Sequence, residues 1–265
     1  MAMLEVQGVS KDFGGLAALS NLYLDVDEGE IRGVIGPNGA GKTTLFNVIS
    51  GVDTPSSGSI TFEGKRLFHE GPRVRQARAL KPSQIAELGV VRTFQRTALF
   101  HDFTVLENVS IARHLHAKEG IVAAVFGTAR RIEKENLERA LEIVEFIGLG
   151  RLKDELASNL PHGHQRALGV AIALAAEPRM LMLDEPVTGM NPTETQHTTE
   201  LIRKVRDQWG VTILLVEHDM RTVMGLCEKI TVLNFGEKLT EGSPKEITEN
   251  KDVIEAYLGA EDIVA

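Results

Sequence analysis

Apolar and polar residues alternate along residues 4–10 and 19–26, the period of strands with one buried face, and Gly14 and Gly15 between them read as a hairpin turn. Ile31, Val34 and Ile35 form an apolar run that does not alternate, as in a strand covered on both sides, and residues 45–50 continue as a helix. A turn rich in Gly, Ser and Pro fills residues 51–58, a strand returns at 59–63, and VVRTFQ at 90–95 reads as a further strand. From about residue 100 to 160 the pattern becomes helical, clearest at 106–115 and 132–147, the second placing Leu137, Leu141, Val144 and Ile147 on one face. Two more buried strands, RMLMLD at 179–184 and TILLVE at 212–217, flank a polar helix at 193–209. Residues 229–240 add a strand, a turn at Gly236 and a short return, Ser243 and Pro244 open a short helix, and 252–258 form another.

Buried strands alternating with helices predict a mostly parallel α/β core. Preceding it is an antiparallel β subdomain, and inserted in it a segment with no convincing strand that reads as an α-helical subdomain. The expected division is 1–95 for the β subdomain and first part of the core, 96–166 for the helical subdomain, and 167–265 for the rest of the core and the C-terminal helices. In such sheets ligands bind beyond the carboxyl ends of the strands. Gly36, Gln95, Asp184, Glu185 and His218 each follow a strand, so all five are expected at one edge.

Composition narrows the function. The 265 residues, 43% apolar, suffice for a large core, and a net charge of −8 argues against a protein built to neutralise nucleic-acid phosphates. The basic run at 65–81 reads as a solvated surface rather than a phosphate-binding face. Cys227 is the single cysteine, which excludes an internal disulfide and suits a reducing compartment. The N-terminus lacks a secretory pattern, and the longest apolar stretch, 167–176, is about half of the roughly 20 residues that span a bilayer. Any membrane role is expected to come through a partner.

The chemistry centres on GPNGAGKTT at residues 36–44. Between a buried strand and a helix, Gly36, Pro37, Asn38, Gly39, Ala40, Gly41, Lys42, Thr43 and Thr44 make the GxxxxGKT pattern whose backbone N–H groups converge on a polyphosphate. Lys42 is placed for the β- and γ-phosphates, and the Thr43 hydroxyl for Mg²⁺. Asp184 supplies a carboxylate for Mg²⁺, Glu185 can polarise a water for in-line attack, Gln95 can bridge metal and water, and His218 can hold the γ-phosphate. ATP and Mg²⁺ are the expected ligands. Phe13, just before the hairpin turn, is either an adenine-stacking ring or an ordinary packing aromatic.

These motifs resemble the ATP-binding cassette family over nearly the whole chain. They correspond to its Walker A loop at 36–44, its Q-loop at Gln95, its signature position at 160–166 (LPHGHQR), its Walker B strand at 181–185, its D-loop at 188–191 and its switch histidine at His218. Within the family the chain looks most like the ATP-binding subunit of branched-chain amino-acid importers, through VRTFQ with LFHDFTVLENV, LMLDEPVTGMNP, LLVEHDM and the ending DVIEAYLG. The resemblance implies a P-loop NTPase core and an ATPase on the cytoplasmic face of the plasma membrane. It also implies pairing with a second ATP-binding subunit, coupling to two integral-membrane permease subunits, and supply by an external solute-binding protein. A motor for another solute or a lipid, or a soluble non-transport cassette, is the alternative.

The signature departs from the family pattern. Pro161 stands where the family has a serine and His164 where it has a glutamine, while Gly169 and Ile172 replace a usual Glu and Arg. Pro161, His162, Gly163 and His164 are expected to face the ATP held by the opposite subunit. Since proline offers neither hydroxyl nor N–H, the resemblance favours a heterodimer with unequal sites. Leu99, Phe100, Phe103 and Val105 form an apolar cluster that either receives a permease helix or packs the helical subdomain.

Overall fold

The computed structural model describes residues 2–69, 78–93, 99–113 and 129–261. In chain order the strands are β1 (Ala2–Phe13), β2 (Leu16–Asp27), β3 (Ile31–Ile35), β4 (Ser57–Phe62), β5 (Lys65–His69), β6 (Arg78–Ala79), β7 (Val90–Thr93), β8 (Met180–Asp184), β9 (Thr212–Val216), β10 (Lys229–Asn234) and β11 (Glu237–Gly242). The helices are α1 (Lys42–Ile49), α2 (Pro82–Glu87), α3 (Val105–Arg113), α4 (Ala129–Phe146), α5 (His162–Ala175), α6 (Pro192–Trp209), α7 (Met220–Leu226), α8 (Pro244–Glu249) and α9 (Lys251–Glu261).

The strands form two sheets. One is antiparallel, in the order β2-β1-β4-β5-β6, and the other runs β11-β10-β3-β9-β8-β7. In the second sheet every neighbouring pair from β10 to β7 is parallel, and only β11 returns antiparallel. Every residue of β3, β8 and β9 is buried. Successive side chains in a strand point to opposite faces, so each of these strands feeds two cores. Ile31, Ile35, Leu181, Leu183, Ile213 and Leu215 pack with apolar residues of α3, α4, α5 and α6. Val34, Met180, Met182, Leu214 and Val216 pack with Leu45, Phe46, Val48 and Ile49 of α1 and with the antiparallel sheet. At roughly 1.5–3 kcal/mol per fully buried large aliphatic side chain, these two layers supply the main favourable term holding the sheet.

Between β7 and β8, α3, α4 and α5 pack on one another. The buried stripe of α4 is Ala140, Ile143 and Val144, while Leu137 is 45% exposed. The expected stripe through Leu137 and Leu141 is therefore rotated, because apolar residues spaced three and four apart allow two overlapping faces that share Val144, and packing selects the one with the small Ala140. The predicted helix starts hold. Asn191 caps α6 and Ser243 caps α8, each in a reciprocal box with the glutamate three residues on and with proline in the first turn.

Two details of β3 were not legible in its apolar pattern. Arg32 is only 1% exposed, its guanidinium held by Glu30 at 2.7 Å and by Thr231 Oγ1 at 3.2 Å. Gly33 leaves room for Cys227, since a Cβ there would stand 2.8 Å from the sulfur. Burial, with Glu228 and Glu30 adding like charge, pushes the Cys227 thiol up to about 12. At about pH 8 the reactive thiolate is then scarce as well as covered. An aromatic disulfide reagent at that pH should leave the folded chain unlabelled and label Cys227 fully once denaturant is added; fast labelling of the folded chain would contradict this packing.

Candidate nucleotide-phosphate site

The register of the parallel strands aligns their carboxyl ends. Ile35 pairs with Val232, Val34 with Val216, and Asp184 with Val216, so the loops beginning at Gly36, Glu185 and Glu217 leave the same edge. Two glycines shape the first loop. Gly36 has φ +153° with the carbonyl of Leu233 only 2.2 Å from where a Cβ would sit, and Gly41 has φ +98° with the Ala18 carbonyl 2.6 Å from that position. No other residue type fits either place. The loop is tied below by Gly236 N–H donating to Ala40 O at 3.1 Å, and Gly236 O accepts from Ser20 N–H at 2.9 Å.

Gly41 is the N-cap of α1, which carries no side-chain cap and no acidic residue in its first turn. Its leading N–H groups and positive dipole end are thus left to an external anion. Lys42 folds over the loop, Nζ donating to the Gly36 and Pro37 carbonyls at 2.7 and 2.9 Å. Burial pulls the Lys42 pKa below the ordinary lysine value, and the Glu185 charge pulls it back up. Desolvation of an ammonium is relieved by a bound anion, so the loop, the helix end and Lys42 together fit a phosphate chain.

At the end of β8, Asp184 is only 8% exposed and is held by Arg92 Nη2 at 2.7 Å. Arg92 also donates from Nη1 to Asn47 Oδ1 on α1 at 2.7 Å, and its guanidinium lies 5.5 Å from the Phe46 ring centre. Glu185 follows with φ +51°, an unusual conformation for a side chain of its size. It is fixed by its N–H donating to Val216 O at 2.9 Å and by Thr188 Oγ1 donating to Oε2 at 3.2 Å. His218 Nδ1 stands 3.9 Å from Glu185 Oε1, with its side chain 62% exposed. Among the described residues no cluster of three His, Cys, Asp or Glu side chains could hold a metal. A Mg²⁺ ion here would take few protein ligands, Thr43 and Asp184, and fill the rest of its shell with phosphate oxygens and water, as that ion usually does.

The structure thus brings together residues 36–44, Asp184, Glu185 and His218. Gln95 lies outside the described residues. Phe13 is 46% exposed at the hairpin tip with the Lys11 ammonium 4.6 Å from its ring centre, so it is no core aromatic. Pro161 is the N-cap of α5, and His162 and His164 are exposed. Among the described residues this segment makes no hydrogen bond to residues 36–44; Gly163 instead sits by the start of α6, 3.4 Å from Glu194 Oε1 to its would-be Cβ. Of the apolar cluster, Leu99 and Val105 are buried, while Phe100 and Phe103 are 50% and 42% exposed and meet edge to face. Sequence reasoning missed Arg92, Asn47 and Glu217. A lone charge in the apolar run VVRTFQ was the available signal for the first.

A mostly parallel sheet with a loop at its carboxyl edge that fits a phosphate chain, and an acidic pair beside it, is the arrangement of a P-loop nucleotide-binding fold. A family profile described as ABC transporter matches residues 19–188, and a second, described as branched-chain amino acid ATP-binding cassette transporter, matches residues 237–263. The high-affinity branched-chain amino acid transport ATP-binding protein LivG of Salmonella typhimurium is 45% identical over 97% of this chain and 98% of its own length. A crystal structure of the ADP conformation of an ATP-binding cassette superposes with a TM-score of 0.83 at 29% identity, over 98% of this chain and 99% of that one. A dimeric, post-hydrolysis cassette bound to ADP and Pi gives a TM-score of 0.72 at 25% identity, over 91% and 99%. The chain belongs to the ABC transporter family, as an ATP-hydrolysing cassette.

The buried Arg92 and Asp184 pair carries a stability consequence. Arg92→Met should lower the unfolding free energy by about 3 kcal/mol, because the Asp184 charge is left buried and unpaired. Adding Asp184→Asn to that variant should recover most of the loss in urea denaturation; two independent losses that simply add would contradict the pairing.

Proposed function

We propose that this chain is the ATP-hydrolysing motor subunit of an importer for branched-chain amino acids. The observation that carries the reading is the open N-terminus of α1 behind residues 36–44, with Lys42 folded over the loop, in a chain 45% identical to a LivG protein. In this reading the N–H groups of the loop and the Lys42 ammonium bind the β- and γ-phosphates, Lys42 exchanging its two carbonyl acceptors for phosphate oxygens. Thr43, Asp184 and Gln95 would hold Mg²⁺, which would supply neutralisation of the charge on the transferring phosphoryl group. Glu185 accepts a proton from water as its oxygen attacks the γ-phosphorus; the bond to the β-γ bridging oxygen breaks, and ADP and phosphate leave. His218 steadies the γ-phosphate from beside Glu185, and Phe13 offers its exposed ring to the adenine.

Residues 161–164, with His162 and His164 exposed at the start of α5, serve the site of a second ATP-binding subunit in this reading, which the dimeric cassette of similar fold supports. Proline at 161 brings no hydroxyl there, which favours a companion subunit over self-pairing. No described helix is long and apolar enough to cross a membrane. In the importer reading, which the likeness to LivG supports, two permease subunits carry the solute, an external binding protein supplies it, and this chain works on their cytoplasmic face. The helical subdomain of that scheme is assigned to residues 96–166, of which α3, α4 and the start of α5 are among the described residues, α5 itself running past that bound to Ala175. The exposed Phe100 and Phe103 on it form the patch that receives a permease helix.

Glu185→Gln is the direct test. It should bind ATP as the native chain does and turn it over about 10²–10⁴-fold more slowly, since the amide keeps the shape and cannot take the proton. Lys42→Ala should instead lose the affinity. Native turnover in Glu185→Gln would move the base elsewhere, and a tight ATP-driven dimer of that variant alone in sedimentation would replace the heterodimer with a homodimer.

A further inference from the structure

Glu217 is a buried acidic residue at this edge that the reading above leaves without a task. It directly follows β9, is 1% exposed, and lies between the two loops that carry Glu185 and His218. Its Oε1 accepts from Val187 N–H at 2.8 Å, and its Oε2 accepts from His218 N–H at 3.1 Å. Oε2 is also 4.0 Å from His218 Nδ1, so the imidazole sits between this carboxylate and that of Glu185. Burial raises the Glu217 pKa, and backbone N–H groups of Val187, His218 and Asp219 oppose the rise. A buried carboxylate is costly unless its oxygens are filled by donors, and here backbone donors from both loops fill them.

We infer that Glu217 is a positioning residue for ATP hydrolysis, its carboxylate joining the Glu185 loop to the His218 loop so that the two side chains keep their mutual geometry. The left-handed backbone of Glu185 makes such a tie necessary. That conformation persists only where its surroundings over-determine it. Glu185 N–H to Val216 O holds the loop at one end, and Val187 N–H to Glu217 Oε1 holds it two residues later. On the other side, the same carboxylate fixes the backbone of His218 and faces its Nδ1, which leaves Nε2 as the nitrogen free to face a phosphate. The partners of the Glu217 carboxylate are on the Glu185 and His218 loops rather than on residues 36–44, so the tie acts on turnover rather than on nucleotide affinity.

Glu217→Gln tests this in the full chain. The amide can accept one of the two N–H groups, but its own NH₂ is set against the other donor. At saturating ATP the single-turnover rate should fall at least about tenfold, with the affinity for ADP changed less than about twofold. If the residue acts through His218, the effect should nearly vanish in a His218→Ala background rather than multiply. A native rate in Glu217→Gln, a loss confined to nucleotide affinity, or full multiplication with His218→Ala would each overturn the inference. Should Glu217→Gln fail to fold, Glu217→Met, which removes the buried charge at similar length, is held to the same outcomes, and failure of both to fold reduces Glu217 to a structural group. The inference rests on the role given to His218. A normal rate in His218→Ala alone would refute that role as well, whereas a slow His218→Ala beside a normal Glu217→Gln overturns only the tie.

Discussion

The parallel register of β10, β3, β9, β8 and β7 is the constraint on which the site depends. Hydrogen bonding between neighbouring strands brings Ile35, Asp184 and Val216 to the same level, and each loop that leaves there inherits its starting point to within a residue. A slip of two residues in β8 would keep its core face and still carry Glu185 away from His218. Register is held by burial on both faces: Leu181 and Leu183 belong to one core, Met180 and Met182 to the other, and a one-residue slip would exchange them.

On this frame the edge is built from charges that would be unfavourable alone. Asp184 is paired with Arg92, which reaches on to α1 through Asn47; Glu217 is filled by backbone donors from two loops; Lys42 rests on two loop carbonyls. Each arrangement connects two elements that end or begin at the edge. The effect is a tied base with a few groups left open to ligand: the first N–H groups of α1, one carboxylate oxygen of Glu185 and the exposed ring of His218. Preorganisation of that kind is how a site for phosphoryl transfer lowers its barrier, since little covalent chemistry falls to the protein.

Much of this was legible in the sequence, and the parts that were not share a cause. The phosphate loop and the strands ending at Asp184 and Glu217 are local patterns, and the family membership that they suggested is borne out by a relative 45% identical along nearly the whole chain. Contacts across the fold leave no local trace. Arg92 meets Asp184 from 92 positions away, and Val187 meets Glu217 from 30, so neither pairing has a spacing to read. Leu137 failed for a different reason. Its helix carries two overlapping apolar stripes, and only packing against α3 and α5 decides that Ala140 and Ile143 face inward.

In the function proposed for this chain, residues 36–44 and the N-terminus of α1 bind a nucleotide by its β-phosphate. Calorimetric titration of the full chain with ADP and with AMP, each at fixed Mg²⁺, addresses it directly, because the two ligands share the base and sugar and differ by that phosphate. ADP should bind saturably and AMP should show no measurable binding. Equal affinity for the two would contradict this, since recognition would then lie with the adenosine and not with the loop.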